Sequence, residues 1–222
     1  MAEDSGRRPG PPFADSASLG AWLKQQPREV GLVVLARAAL RAVPLIALAV
    51  RGAPERLSYF AQVTAAVFRA ASLARLAGKY PARAEELGAS LAAASRIAGE
   101  YCAGVAISRF LTPGMATAGD VALAAALADA DAGAAGAAAD AAAAVADGRS
   151  VWASVSSDAL FIETGGKAGD LADRPLWPGA PPRWAGELWA SLSAALATND
   201  KYWQTQTRWY DDCLAGRLRD EA

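Results

Sequence analysis

Asn199-Asp-Lys-Tyr-Trp-Gln-Thr-Gln-Thr-Arg-Trp-Tyr-Asp-Asp-Cys-Leu-Ala-Gly216 is the stretch whose reading decides the fold class. Trp203, Gln206, Tyr210 and Leu214 recur at steps of three and four, which places them on one helical face with Trp209 and Cys213 beside them. Lys201, Arg208, Asp211 and Asp212 point elsewhere. Asn199 or Asp200 can accept hydrogen bonds from the first free backbone N–H groups, and Gly216 offers the left-handed residue that stops a helix. The spacing predicts a helix that lays an aromatic stripe over a helical core. Its alternative is an exposed partner groove carrying Trp203, Trp209 and Tyr210.

Working outward, the chain has 222 residues, 53% of them hydrophobic, enough to bury a sizeable core. Its net charge of -1 gives no overall attraction to nucleic acid. That average conceals an asymmetry. Ten Lys or Arg face two acids between Lys24 and Arg83, whereas eight bases face fifteen acids from Gly119 to the end. Either the two halves complement each other within one fold or across a dimer, or the basic front docks on an acidic partner, phosphates or anionic lipid. Cys102 and Cys213 form neither a C-x-x-C site nor a disulfide framework, which points to a reducing compartment. The polar, proline-rich start has no apolar run behind Arg7 and Arg8, so it reads as a cytoplasmic tail rather than an export signal.

In chain order, Asp15 or Ser16 caps a short helix with Leu19, Trp22 and Leu23 that ends before Pro27. Pro27-Arg-Glu then opens a helix whose core, Val30 to Val50, is the most apolar stretch of the chain. At twenty-one residues it has the length to span a bilayer. Two arginines and Pro44 argue against that, since each central arginine costs about 2.5 to 3.5 kcal/mol to insert. The segment is expected to be a buried core helix, with no transmembrane span in the protein. Steps of 100° put Arg37 and Arg41 on one strip with Val30, Val33, Val34, Pro44 and Leu48. These two cations must reach water, an acid of the back half, or a bound anion, because an unpaired buried charge is too expensive.

Glu55 starts the next helix, with Leu57, Phe60, Val67 or Phe68, Leu73 and Leu76 inward and Gly78 as its stop. After Lys79-Tyr-Pro81 a third long helix runs to about Ser108 around Leu87, Leu91, Tyr101 and Ile107. Thr112-Pro-Gly114 breaks the chain, and Ala116 to Ala146 predicts one or two thin alanine helices. A helix with Trp152, Val155, Ala159 and Ile162 ends at Gly165-Gly166. Residues 167 to 182 are expected to form a loop pinning Leu171, Leu176 and Trp177. Pro181 or Pro182 opens a helix with Trp184, Leu188, Leu192 and Leu196. The result is an all-α, single compact bundle of roughly seven to nine helices over residues 15–216. It divides into a basic apolar front (15–112), Ala-rich connector helices (113–148) and Trp-rich closing helices (149–216), between a disordered tail at 1–14 and a tail at 217–222.

Several stretches carry a resemblance: Trp22-Leu-Lys-Gln-Gln-Pro-Arg-Glu-Val30, Ala36-Arg-Ala-Ala-Leu-Arg-Ala-Val-Pro-Leu45, Gly78-Lys-Tyr-Pro81, Val151-Trp-Ala-Ser-Val-Ser-Ser-Asp158, Pro175-Leu-Trp-Pro178 and Trp203-x5-Trp209-Tyr-x3-Leu-x-Gly216. From Trp22 to Gly216 the chain resembles a family of bacterial Ala-rich helical modules with no known activity. The family's last helix usually has Trp where this chain has Gln206 and Arg where it has Cys213. Its module often heads a longer protein, which implies binding or regulation.

The chain has no histidine, which excludes Ser-His-Asp and Cys-His hydrolases, His-ligated zinc and imidazole acid-base chemistry. Thr164-Gly-Gly-Lys-Ala-Gly169 resembles a phosphate cradle, but Phe161 and Ala168 stand where a P-loop needs Gly and Ser or Thr, so it reads as a helix stop. Asp211-Asp212, Asp129 with Asp131, and Glu85-Glu86 are too close in sequence to share a helical face, so no metal site or acid-base pair is expected. No catalytic residue and no cofactor is assigned. The expectation is a non-enzymatic interaction or regulatory module of the bacterial cytoplasm, with a protein partner or self-association and no nucleic acid. A carboxylate/arginine enzyme, or a lipid- or phosphate-binding module, is the alternative, with Arg37 and Arg41 as the candidate partner or anion contacts.

Overall fold

The computed structural model describes Phe13, residues 16–107 and residues 148–217. The described residues are all-α and contain no strand. The break at Thr112-Pro-Gly114, the Ala-rich stretch 116–146, Asp129 and Asp131 lie outside them. In chain order the helices are α1 (Ser16–Leu23), α2 (Arg28–Ala42), α3 (Ile46–Gly52), α4 (Leu57–Lys79), α5 (Ala84–Ile107), α6 (Gly148–Glu163), α7 (Ala168–Ala172), α8 (Arg183–Asn199) and α9 (Trp203–Ala215).

The apolar segment is the axis of the fold. Helix α2 begins after Pro27, with Glu29 in the first turn against the positive end of the helix. Its path is interrupted at Val43–Leu45 by a single 3-10 turn containing Pro44, after which α3 continues. Arg28 to Gly52 is long and apolar enough to cross a membrane by composition, but 89% of its most apolar window is buried by protein. It is the core helix expected. Helix α4 packs along it and buries Phe60, Val63, Val67, Phe68 and a row of alanines, Ala70, Ala71, Ala74 and Ala77.

Three expectations need correction here. Leu76 is half-buried and stands outside the core cluster, whereas Leu57 and Leu73, also half-buried, pack against it as expected. Gly78 does not stop α4, which runs to Lys79. A Cβ at Gly78 would sit 2.5 Å from Val33 Cγ2 and 2.7 Å from the Glu29 carbonyl oxygen, so this glycine marks the crossing of α4 over the start of α2. Residues 167 to 182 are not all loop, since α7 forms within them.

The far end of the chain closes the core. Phe13, at the inner end of the N-terminal segment, is buried against Trp22 at 5.7 Å between ring centroids, and its N–H donates to Ser156 Oγ on α6. Trp22 Nε1 donates to Glu163 Oε1 at 3.0 Å, tying α1 to the end of α6. Helix α6 stops at Gly165, whose φ of +93° is open to glycine but strained for other residues, as the glycine pair predicted. Helix α9 ends at Gly216 in the left-handed region. Its start differs from expectation: Asn199 closes α8, where its Oδ1 accepts from Ser58 Oγ, and Asp200 receives the Tyr202 N–H in the turn between α8 and α9. One buried apolar cluster draws on residues from Phe13 to Cys213.

Candidate functional site

Arg37 and Arg41, one turn apart on α2, are 5% and 0% exposed. They do not reach water along their stems, and they do pair with an acid of the back half. Asp158 of α6 lies between them. Arg37 Nε donates to its Oδ2 at 2.9 Å and Nη2 to its Oδ1 at 3.1 Å, a two-pronged contact that matches the flat guanidinium to the flat carboxylate. Arg41 Nη1 sits 2.7 Å from the same Oδ2, close enough for an ion pair but poorly directed as a hydrogen bond.

The backbone of residues 171–176 supplies the remaining acceptors. Arg37 Nη1 donates to the carbonyls of Leu171 and Arg174, and Nη2 to those of Pro175 and Leu176. Arg41 Nε donates to Leu176 O at 2.8 Å. On α4, Arg75 Nε takes Ala172 O, while Arg75 and Lys79 both pair with Asp173. The last carbonyls of α7 have no partners within their helix, so cations placed there satisfy them and oppose the negative end of the helix. Residues 171–177 are thus a strap clamped by four basic residues of α2 and α4. Leu176 N–H donating to Cys213 O, and Pro175 packed where a Cβ of Gly216 would fall, tie the strap to α9.

Charge sets the protonation of this clasp. Burial works to raise the Asp158 pKa, but the charges of Arg41 and Arg37, with the hydrogen bonds that Arg37 donates, outweigh it and hold the carboxyl below its ordinary range. Burial pulls the Arg41 guanidinium down, opposed by Asp158. The Cys213 thiol, desolvated beneath the strap, is pushed up to about 12. It is an inert thiol rather than a nucleophile.

The aromatic candidates fall in a second cluster. Trp203 and Tyr210 are buried and Trp209 is half-buried, so the stripe faces the core rather than an open groove. The Tyr210 ring lies 4.2 Å from Trp189 and stacks on Phe68 at 5.5 Å, while Trp209 meets Phe68 edge-on. Tyr210 Oη donates to Leu40 O at 2.8 Å. Pro44 explains why that carbonyl is free to receive it: proline has no N–H to offer the residue four before it, so a 3-10 bond from Val43 and the tyrosine hydroxyl serve instead.

Asp158 was not singled out from sequence, although its signal was present. Val151, Val155, Asp158 and Ile162 step by four, three and four, so this acid occupies a core position of an apolar helix and demands a buried base. The strap carbonyls left no such signal, since any residue supplies one. The adjacent acids divide as expected: Asp211 accepts from Trp189 Nε1 and Asp212 pairs with Arg217. Among the described residues no three metal-capable side chains cluster. No family model matches the chain, and searches of curated proteins and solved structures returned no match.

Proposed function

We propose that this chain is a non-enzymatic helical interaction module that binds a protein partner or a second copy of itself through the outer faces of α4 and α5. What supports the reading is an open groove of about 210 Å³ lined by Gln62, Ala65, Ala66, Arg69, Ala94 and Ile97. Its small side chains let another helix come close, and the exposed Arg69 guanidinium at its rim suits an acidic residue on that helix. The clasp fits this reading as framework, because its charges are spent on Asp158, Asp173 and the strap and leave no open face for substrate.

Sedimentation velocity over a concentration series, joined to affinity capture with mass spectrometry, tests the proposal. Arg69→Glu, which reverses the rim charge at an exposed position, should abolish the association while Tm stays within about 2 °C of the parent, since exposed changes of this kind rarely exceed ~0.5 kcal/mol, and Ala65→Trp, which fills the groove, should abolish it as well. A protein that stays monomeric and captures nothing, or one whose partner binds both variants normally, would end this reading.

A further inference from the structure

The groove between α4 and α5 has a floor of small side chains, but its α4 wall carries a charge pattern that complements its own reverse. Gln62 and Arg69 line the groove. Glu55 stands seven residues before Gln62, as Gln62 does before Arg69, in the 3-10 turn Pro54–Arg56 that leads into α4. Seven residues make almost two full helical turns, so Glu55, Gln62 and Arg69 fall on one stripe, with Ser58 and Ala65 between them. Glu55, Ser58, Gln62 and Arg69 are exposed and Ala65 is half-buried, so the stripe faces outward. Among the described residues Glu55 and Arg69 form no ion pair, whereas the exposed Arg83, Arg183 and Arg217 each find an acid three to five residues away. The Ser58 end of the stripe adjoins the turn between α8 and α9 through the bond from Ser58 Oγ to Asn199 Oδ1. That turn carries Tyr202, the one large hydrophobic side chain exposed among the described residues.

We infer that the occupant of this groove is a second copy of the chain, its α4 laid antiparallel over the first about a two-fold axis that passes beside Gln62. The inference rests on the interaction reading above and names the partner. Reversing a helix about Gln62 brings Glu55 of each copy opposite Arg69 of the other, so two ion pairs form together. The two Gln62 amides meet at the axis, where each can donate to and accept from the other. Ser58 of each copy comes over Ala66 of the other, and side chains this small let the backbones approach closely. A parallel arrangement would set Arg69 against Arg69 and Glu55 against Glu55, and like charges across an interface oppose docking. An unrelated helix needs an acid at the matching distance from its point of crossing; the chain's own stripe already has one.

Sedimentation velocity over a concentration series, run on the parent, Glu55→Arg, Arg69→Glu and the double variant, reads the pairing. The parent should show reversible exchange between monomer and dimer. Each single reversal turns two attractive pairs into two repulsive ones and should weaken dimerisation about tenfold or more, while the double variant, which exchanges the two charges, should recover most of the parent's affinity. Both positions are exposed, so the fold should survive each change. A parent that stays monomeric at every concentration, a dimer indifferent to the single reversals, or a double variant no better than either single one would overturn the assignment. Failure of the interaction reading looks different. A monomeric parent that captures another protein, and loses it on Arg69→Glu, would keep that reading and remove the second copy from the groove, whereas a monomer that captures nothing would end both.

Discussion

The clasp around Asp158 and the aromatic cluster around Tyr210 are equally buried and both lean on α2, yet they hold it by different physics. The clasp is directional: each guanidinium depends on particular acceptors, because a buried cation stripped of them has no substitute for water. The aromatic cluster is mostly shape, with Phe68, Trp189 and Tyr210 in mutual contact and one hydroxyl bonded to Leu40 O. Loss of one member of the first strands the rest, whereas loss of one member of the second leaves a cavity whose cost depends on how far its walls relax.

The sharpest break of this comparison is Asp158→Leu. Two guanidiniums would lose their carboxylate, a loss on the order of 5 kcal/mol and a large part of a typical stability of about 5 to 15. Chemical denaturation should show little or no folded protein, and wild-type stability would mean the clasp contributes nothing. Acid sharpens the same point. Because the folded-state carboxyl is held below its ordinary pKa, its contribution is full above that ordinary value and is lost as pH falls through the depressed one. Urea titrations from neutral pH downward should hold level until the carboxylate range is reached and then decline. Denaturation midpoints unchanged through that range would contradict the charged clasp.

Trp203→Ala should cost about 3 to 5 kcal/mol through the cavity it leaves. A melting temperature matching the parent would move the aromatic face from core to partner surface. Tyr210→Phe is smaller, about 1 to 3 kcal/mol, because it removes one hydroxyl and leaves the Leu40 carbonyl its weaker 3-10 bond. The smallest effect is chemical. In a Cys102→Ser background, Cys213 should resist alkylation near pH 8 at ordinary reagent concentrations and react once denaturant is added, since its thiol titrates only at about 12. Rapid labelling of the folded protein would show that the strap opens readily.

Much of the helical layout was legible from periodicity and punctuation. Gly216 and the Gly165-Gly166 pair stop helices because their backbones enter conformations that side chains resist, and that preference is local. Gly78 misled for the same reason in reverse, since its glycine answers to Val33 and Glu29 on another helix rather than to its own backbone. That Arg37 and Arg41 must reach water, an acid or a bound anion was legible too, because an unpaired charge inside an apolar cylinder is too expensive, but which of the three was not.

Sequence by itself therefore determined the all-α class, the buried α2 axis and the inward turn of Trp203 and Tyr210, each set by hydrophobic period and helix-end chemistry within a few residues. Only the tertiary structure decided which acid answers the arginines, and that backbone carbonyls of residues 171–176 share the task. The physical reason is that side-chain type advertises a need for a partner, whereas the partner's identity depends on which distant segment the packing brings within about 3 Å.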